Sequence, residues 1–411
     1  MLLGASSLIL SAGLPAATVQ AENLTIAFID ALSGPFAATG LGSGRELKHA
    51  VEKFLNGKEV AGEKLEVEFL ELDGKINPKE SLVQLQNAIS QGAKYIFHNS
   101  GSSVGHALVG AINKHNKRNP DNRVLYLNYG AIDPALTGSK CSFWHFMIDA
   151  NVDMKVSALV DEIAKDKSVK KAFIIGQDYS FGKAFSAAAK KYLADKRPDI
   201  EIVGDQLHPI GKVKDFTPYA QKILRSKADV VMTGNWGADM INLAKSVKEI
   251  GTEANIYGIY AYGPGVSAVV GESGLGKLSI VTQGHINPPN TPEWAAYTDE
   301  FLAKHPGNDM SNERTVYGVQ MLGEAFVKAG STDPLKVAFA LEDLEFTTIS
   351  GDKVVMRGKD HQMQMPLQVM AHAKDGLKYD FDQSGYGVIT TSSIPLENNT
   401  LETSCEMQRP S

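Results

Sequence analysis

The sequence predicts an α/β protein of two lobes, each a mostly parallel sheet covered by helices on both faces. Three observations carry this expectation. From Asn23 onward, short β-branched runs alternate with longer segments of helical period, the pattern of parallel strands joined by crossover helices. The pattern restarts at "KKAFIIG" with a second set of similar size, which fits two lobes better than one large sheet. No low-complexity linker separates the two sets, so several strands are expected to pass between the lobes and hinge them around a cleft.

Taken in order, "LTIAFIDA" reads as the first strand. "GRELKHAVEKFLNG" then places Leu47, Ala50, Val51, Phe54 and Leu55 on one helical face and stops near Gly57. "KLEVEFLELDG" is the next strand, after which Asn77-Pro78 caps and opens a helix carrying Leu82, Leu85 and Ile89 and closing at Gly92. "YIFH" and "VLYLNYG" are strands on either side of a helix over Val104 to Asn116. In the second set, "KKAFIIG", "EIVGDQ" and "ADVVMTG" each precede a helix, and "NIYGIYAYG" follows. Asn287 to Phe346 is rich in helix, and "GDKVVMRGKDHQMQMPLQVMAHAKDG" reads as a hairpin.

With 411 residues, 43% apolar and 21% charged, the chain can bury two or three domain cores, which excludes disordered and fibrous classes. Its net charge of -6, from 47 acidic and 41 basic residues without long runs, offers no footprint for nucleic acid. The opening "MLLGASSLILSAGLPAATVQA" is uncharged, apolar and ends in Val19-Gln20-Ala21, so residues 1–21 are expected to be an export leader, with Glu22 first in the mature chain. A basic n-region is missing, which suggests a start upstream of Met1; a membrane anchor is the alternative. In an exported chain the two cysteines, Cys141 and Cys405, suggest a disulfide tying the C-terminal tail to "SKCSFWHF", against the alternative of two unrelated buried thiols.

Several motifs tempt and fall short. "GESGLGKL" nearly matches a phosphate loop, but Leu278 stands where a hydroxyl should hold magnesium. "GLGSG" would need its third fingerprint glycine at Arg45. His98, His106, His145 and His361 sit beside possible cleft segments without a nucleophile or a paired acid and base, and no His or Cys cluster has zinc spacing. Neither catalysis, metal nor cofactor is therefore expected.

Binding signals are clearer. "NYGAIDP", "GQDYSFG", "GNWGADM" and "YAYGPG" lie at the carboxyl ends of expected strands, the edge where open α/β sheets bind ligands. Tyr129, Tyr179, Phe181, Trp236, Tyr260 and Tyr262 are thereby candidates for one cleft, with core packing the alternative for each alone. "FHNSGSSVGHAL" leaves a strand through more small polar residues than a helix cap needs, and free N–H groups with the helix dipole favour an anion there.

Together, "LSGPFAATG", "NPKESLVQLQNAISQGAKYIFHNSGSSV", "LYLNYGAIDPALT", "IIGQDYSFGKA" and "FTPYAQKILRSKADVVMTGNWGADM" resemble the type I periplasmic solute-binding proteins of ABC transporters, in the leucine/isoleucine/valine-binding branch, from Leu24 to about Asp382. The resemblance implies two Rossmann-like lobes joined by three crossing strands, placed near Ile148, Gln283 and Gly351. Lobe 1 would hold residues 22–147 and 285–350, lobe 2 residues 148–284 and 351–395, and the tail residues 396–411. It implies that Asn99, Ser100, Gly101, Ser102 and Ser103 hold a ligand carboxylate with N–H groups and hydroxyls. The loop carrying Gly130, Ala131 and Ile132 would face a ligand ammonium.

Two departures matter. Ile132 stands where the family places a threonine, and Tyr260 where it places a glutamate that neutralises the ammonium. An ammonium enclosed without such partners loses several kcal/mol to desolvation, against roughly 8 kcal/mol of binding for a micromolar ligand. The expected ligand is thus a carboxylate lacking an α-amino group, with an aromatic or branched apolar body. Asp178 or Asp239 as the missing anion would restore an amino acid. The implied chain is a monomeric periplasmic receptor delivering its ligand to a membrane permease; an exported sensor and a hydrolase are the competing classes.

Overall fold

The computed structural model describes residues 21–410. The expected leader lies outside the described residues except for Ala21. Lobe 1 begins with β1 (Ala21–Asp30), α1 (Ala37–Phe54), β2 (Glu59–Val60), β3 (Glu63–Asp73), α2 (Pro78–Ser90), β4 (Tyr95–His98), α3 (Ser102–Arg118), β5 (Leu125–Asn128) and β6 (His145–Met147). Lobe 2 holds α4 (Val152–Lys165), β7 (Lys171–Gln177), α5 (Ser180–Lys196), β8 (Glu201–His208), α6 (Thr217–Ser226), β9 (Val230–Thr233), α7 (Gly237–Ile250), β10 (Asn255–Gly258), α8 (Val266–Val270) and β11 (Leu278–Thr282). The chain then returns to lobe 1 through α9 (Pro292–Lys304), α10 (Glu313–Ala329), α11 (Pro334–Leu341), β12 (Leu344–Thr347), β13 (Lys353–Arg357) and β14 (Gln362–Gln364). It ends in lobe 2 with β15 (Leu367–Ala373) and β16 (Gly387–Ile394).

The two sheets run β12-β13-β14-β6-β5-β4-β1-β3-β2 and β16-β15-β11-β10-β9-β7-β8. Their central strands are parallel, with β4 between β1 and β5 and β9 between β7 and β10. Every residue of β4, β5, β6 and β9 is buried, as strands covered on both faces must be. The apolar face of α1 is buried at Leu47, Ala50 and Val51, with Leu55 buried just past its end and Phe54 only partly buried, and full burial stabilises by roughly 1.5–3 kcal/mol for each large aliphatic side chain. Asn77 caps α2, its side chain accepting from the N–H groups of Lys79 and Glu80.

The chain changes lobe at residues 148–151, 283–291 and 365–366. The third passage departs from expectation. Gly351, with φ +89°, lies in the turn between β12 and β13, which pair antiparallel; β14 then pairs with β13 and with β6. Residues 351–364 therefore belong to the sheet of lobe 1, and the expected single hairpin is divided at Met365-Pro366. Pro366 lacks the N–H a continuing ladder would need.

After β16 the tail returns to lobe 1. Thr403 Oγ donates to the Thr137 carbonyl (2.7 Å), and Cys405 is bonded to Cys141 with Cα atoms 5.7 Å apart. "GESGLGKL" forms a short turn leading into β11, so it precedes a strand where a phosphate loop would follow one. The four noted histidines are hydrogen-bonded structural groups: His98 to Tyr126, His106 to Asp133, His145 to Asn128 and His361 to Glu342.

Candidate functional site

A cavity of about 410 Å³ lies between the lobes, at the carboxyl ends of their central strands. Of the expected residues, Asn99, Ser100, Gly101 and Gly130 line it from lobe 1, and Tyr179, Phe181, Trp236, Tyr260 and Tyr262 from lobe 2. Gly130 is required there, because a Cβ would stand 1.9 Å from Asn99 Oδ1.

Ser102, Ser103, Tyr129, Ala131 and Ile132 do not line the cavity. Ser102 Oγ accepts from the Asp133 N–H (3.2 Å), and Ser103 Oγ meets Ser180 Oγ across the lobes (3.2 Å). Tyr129, Ala131 and Ile132 are fully buried in the core, because the backbone turns inward after β5 while Asn128 bonds to the N–H groups of Gly130 and Ala131. Neither carboxylate considered as a missing anion reaches the cavity. Asp239 accepts from Gln177 and from the Gly211 N–H, and exposed Asp178 pairs with Lys183.

The loop expected to bind an anion is also partly occupied by the protein itself. Asp30, at the end of β1, accepts from the N–H groups of both Asn99 and Ser100 at 2.9 Å. The expectation that these two main-chain amides hold a ligand carboxylate is corrected accordingly. Among the described residues, the N–H groups of Gly101, Ser102 and Ser103 have no bonded partner, and no side chain caps α3.

Sequence reasoning missed the other half of the wall: Arg45 and Glu46 on α1, the loop residues Gly307 to Asp309 with Ser311 and Asn312, Arg314 in the first turn of α10, and Asp382 with Gln383 from lobe 2. Arg314 is 4% exposed. Its Nε donates to the Tyr129 carbonyl, and its Nη2 to Asn99 Oδ1 (3.3 Å) and Asn312 Oδ1 (2.5 Å). Asp149, in the first passage between lobes, lies 3.4 Å from Arg314 Nε and 2.8 Å from Lys155 Nζ, and accepts from Tyr260 Oη. Burial lowers the Lys155 pKa to about 8 against the pull of Asp149. Lys155 Nζ and Arg314 Cζ lie 4.3 and 5.3 Å from the centroid of the Tyr260 ring, close enough for cation–π attraction.

Acidic groups in the wall are already bonded. Glu46 accepts from the N–H groups of Ser311 and Asn312, Asp382 from those of Gly265 and Ala268, and Asp309 from that of Asp382. Burial raises the Glu46 carboxyl to about 7; burial, then the charge of Asp382, raises that of Asp309 to about 6.

The lobes touch around the cavity. Tyr262 Oη donates to the Ser311 carbonyl (2.8 Å), and Phe36 stacks obliquely on Trp236 with centroids 4.4 Å apart. Trp236 Nε1 donates to Tyr179 Oη (3.0 Å), fixing one aromatic wall.

The comparisons with known proteins agree with this architecture. The periplasmic binding protein family profile matches residues 23–376. The "Leu/Ile/Val-binding protein homolog 4" of Brucella melitensis biotype 1 is 31% identical over 409 residues, covering 96% of this chain and 95% of the relative. The closed leucine-, isoleucine-, valine-, threonine- and alanine-binding protein of Brucella ovis superposes with a TM-score of 0.83 at 29% identity, covering 95% of this chain and 100% of that one. A solute-binding protein from R. palustris in complex with benzoate shares the fold at 18% identity, with a TM-score of 0.79 and coverage of 94% and 100%. A two-lobed fold, an interlobe cavity and a profile match over most of the chain make this protein a member of the type I periplasmic solute-binding proteins of ABC transporters, in the Leu/Ile/Val-binding branch, a family of transport receptors.

Proposed function

We propose that the protein captures a small carboxylate without an α-ammonium group in the periplasm, closes over it, and presents it to the permease of an ABC importer. The ligand body is aromatic or branched and apolar, held by Tyr179, Phe181, Trp236, Tyr260 and Tyr262; the acid end lies toward Ser100, Gly101 and Gly130. One observation carries the reading: each carboxylate in the cavity wall already accepts from main-chain N–H groups. Tyr260, where the family's glutamate is expected, spends its hydroxyl on Asp149. An enclosed ammonium would lack an uncommitted anion, and desolvating it unpaired costs several kcal/mol. The benzoate held by the R. palustris protein is a ligand of this class.

Names of the relatives favour a second reading, a branched-chain amino acid. A thermal-shift screen separates the two. Benzoate, 4-hydroxybenzoate and 4-methyl-2-oxopentanoate are tested against leucine, valine and phenylalanine; a ligand at 100 times its Kd adds about 2.7 kcal/mol of apparent stability. Shifts from the acids support the proposal. A shift from leucine with none from the nitrogen-free acids overturns it.

A further inference from the structure

We infer that Arg314, through its Nη1 group, is the clamp that selects the ligand's carboxylate, beside the Ser100 hydroxyl that the family resemblance already implies. The inference rests on the carboxylate reading above and names the residues that enforce it. Arg314 Nη1 and Ser100 Oγ are both buried, both belong to residues lining the cavity, and neither has a hydrogen-bond partner among the described residues. Arg314 and Ser100 are 4% and 5% exposed, so bulk water does not satisfy these groups. They are joined through Asn99, whose Oδ1 accepts from Arg314 Nη2.

The remaining bonds of Arg314 hold its plane in place. The Tyr129 carbonyl, Asn99 and Asn312 come from three separate segments of lobe 1, leaving Nη1 as the uncommitted arm of a fixed fork. The N–H groups of that one arm can donate to a carboxylate oxygen, and their orientation is set before the ligand arrives. Gly101, at φ +97° before α3, brings the positive end of that helix to the same wall. Charge balance points the same way. Arg314 and Lys155 share Asp149 as their ion-pair partner, so an entering anion meets an incompletely neutralised pair of buried cations.

The test compares an acid with its amide on the mature full chain. Benzoate and benzamide are titrated by calorimetry against wild type, Arg314→Lys and Ser100→Ala. Wild type should prefer benzoate by about a hundredfold. Arg314→Lys keeps the charge but loses the Nη1 donor and the bonds that orient it, and should weaken benzoate at least about tenfold with benzamide unchanged; Ser100→Ala should weaken benzoate by about threefold to tenfold. Unchanged benzoate affinity in folded Arg314→Lys, or equal losses for acid and amide, overturns the inference. Should Arg314→Lys not fold, Ser100→Ala decides, with an unchanged acid preference counting against the clamp. If wild type binds leucine and not benzoate, the ligand reading fails while the clamp is judged on leucine against leucinamide. Binding of no carboxylate at all overturns both.

Discussion

Tyr260 Oη donates to Asp149 Oδ2 at 2.5 Å, joining a loop of lobe 2 to the first passage between the lobes. The same carboxylate holds Lys155, and Arg314 approaches it from lobe 1. A wall residue of the cavity is thereby coupled to that passage. Tyr260→Phe keeps the ring over the two cations and removes only the hydroxyl. Losing a hydrogen bond to a charged group should cost about 1.5–3 kcal/mol, read as a lower urea midpoint at unchanged slope. An unchanged midpoint would mean that Asp149 is held by Lys155 and Arg314 alone.

Glu313 supplies a pH test. Its carboxyl is buried with neither oxygen bonded, and burial, partly offset by its own backbone N–H and Arg314 and reinforced by Glu46 and Asp149, raises its pKa from 4.5 to about 8. Tyr262, Tyr317 and Lys155 also stand near it. In the unfolded chain the group ionises near 4.5, whereas in the folded chain it keeps its proton to about 8. The unfolded state is therefore favoured progressively as pH rises through that window, and stability falls. Glu313→Gln removes this contribution, so its melting temperature relative to wild type should climb from pH 5 to pH 8. A difference independent of pH would place the ionised carboxylate in the folded protein.

The strand-end aromatics other than Tyr129 were legible and reach the cavity wall because an open α/β sheet exposes the same edge whatever its ligand. Arg314 was not, for a physical reason. Along α10 nearly every residue from Glu313 to Phe326 is buried, so no polar face marks the helix and its charged start reads as a solvated first turn. The signal available was two adjacent charges leading straight into "TVYGVQML" without a polar stripe. Asp30 was equally silent, since a strand-ending aspartate discloses nothing of the two amides it binds across the sheet. The third passage was displaced because Gly351 and Pro366 both interrupt β runs, and only pairing of β14 with β6 decides between them.

The Cys141–Cys405 bond closes a separation of 264 residues and fastens the tail, arriving from β16 in lobe 2, to lobe 1. Cross-linking so long a loop restricts the unfolded ensemble; its removal should cost about 2–5 kcal/mol. Guanidinium unfolding with and without reductant checks this, alongside the Cys141→Ser/Cys405→Ser double variant. If reduction shifts the wild type as far as the double substitution does, the loss belongs to the bond; a shift in the variant alone would assign it to packing of the buried Cys405 side chain.

Phe36 joins the two lobes by shape. It reaches from lobe 1 into a notch of lobe 2, against Trp236 and the two glycines Gly211 and Gly237, where a Cβ would stand 2.8 and 2.7 Å from its ring. Both glycines have positive φ, +65° and +56°, so side chains there are disfavoured twice. The contact exists only while the lobes are together, so it adds to the affinity of the closed form without holding either lobe's own core. An aromatic pair contributes about 0.5–1.5 kcal/mol beyond its buried area. Phe36→Ala should therefore weaken ligand binding by about tenfold or more, since area and pairing are lost together. Gly237→Ala should do the same by obstruction, with Phe36→Ala/Gly237→Ala less impaired than the sum of the two. Calorimetric titration and small-angle scattering with saturating ligand read the outcome. Full affinity and an unchanged compact envelope in Gly237→Ala would show that Phe36 yields, and that the notch does not set the closed state.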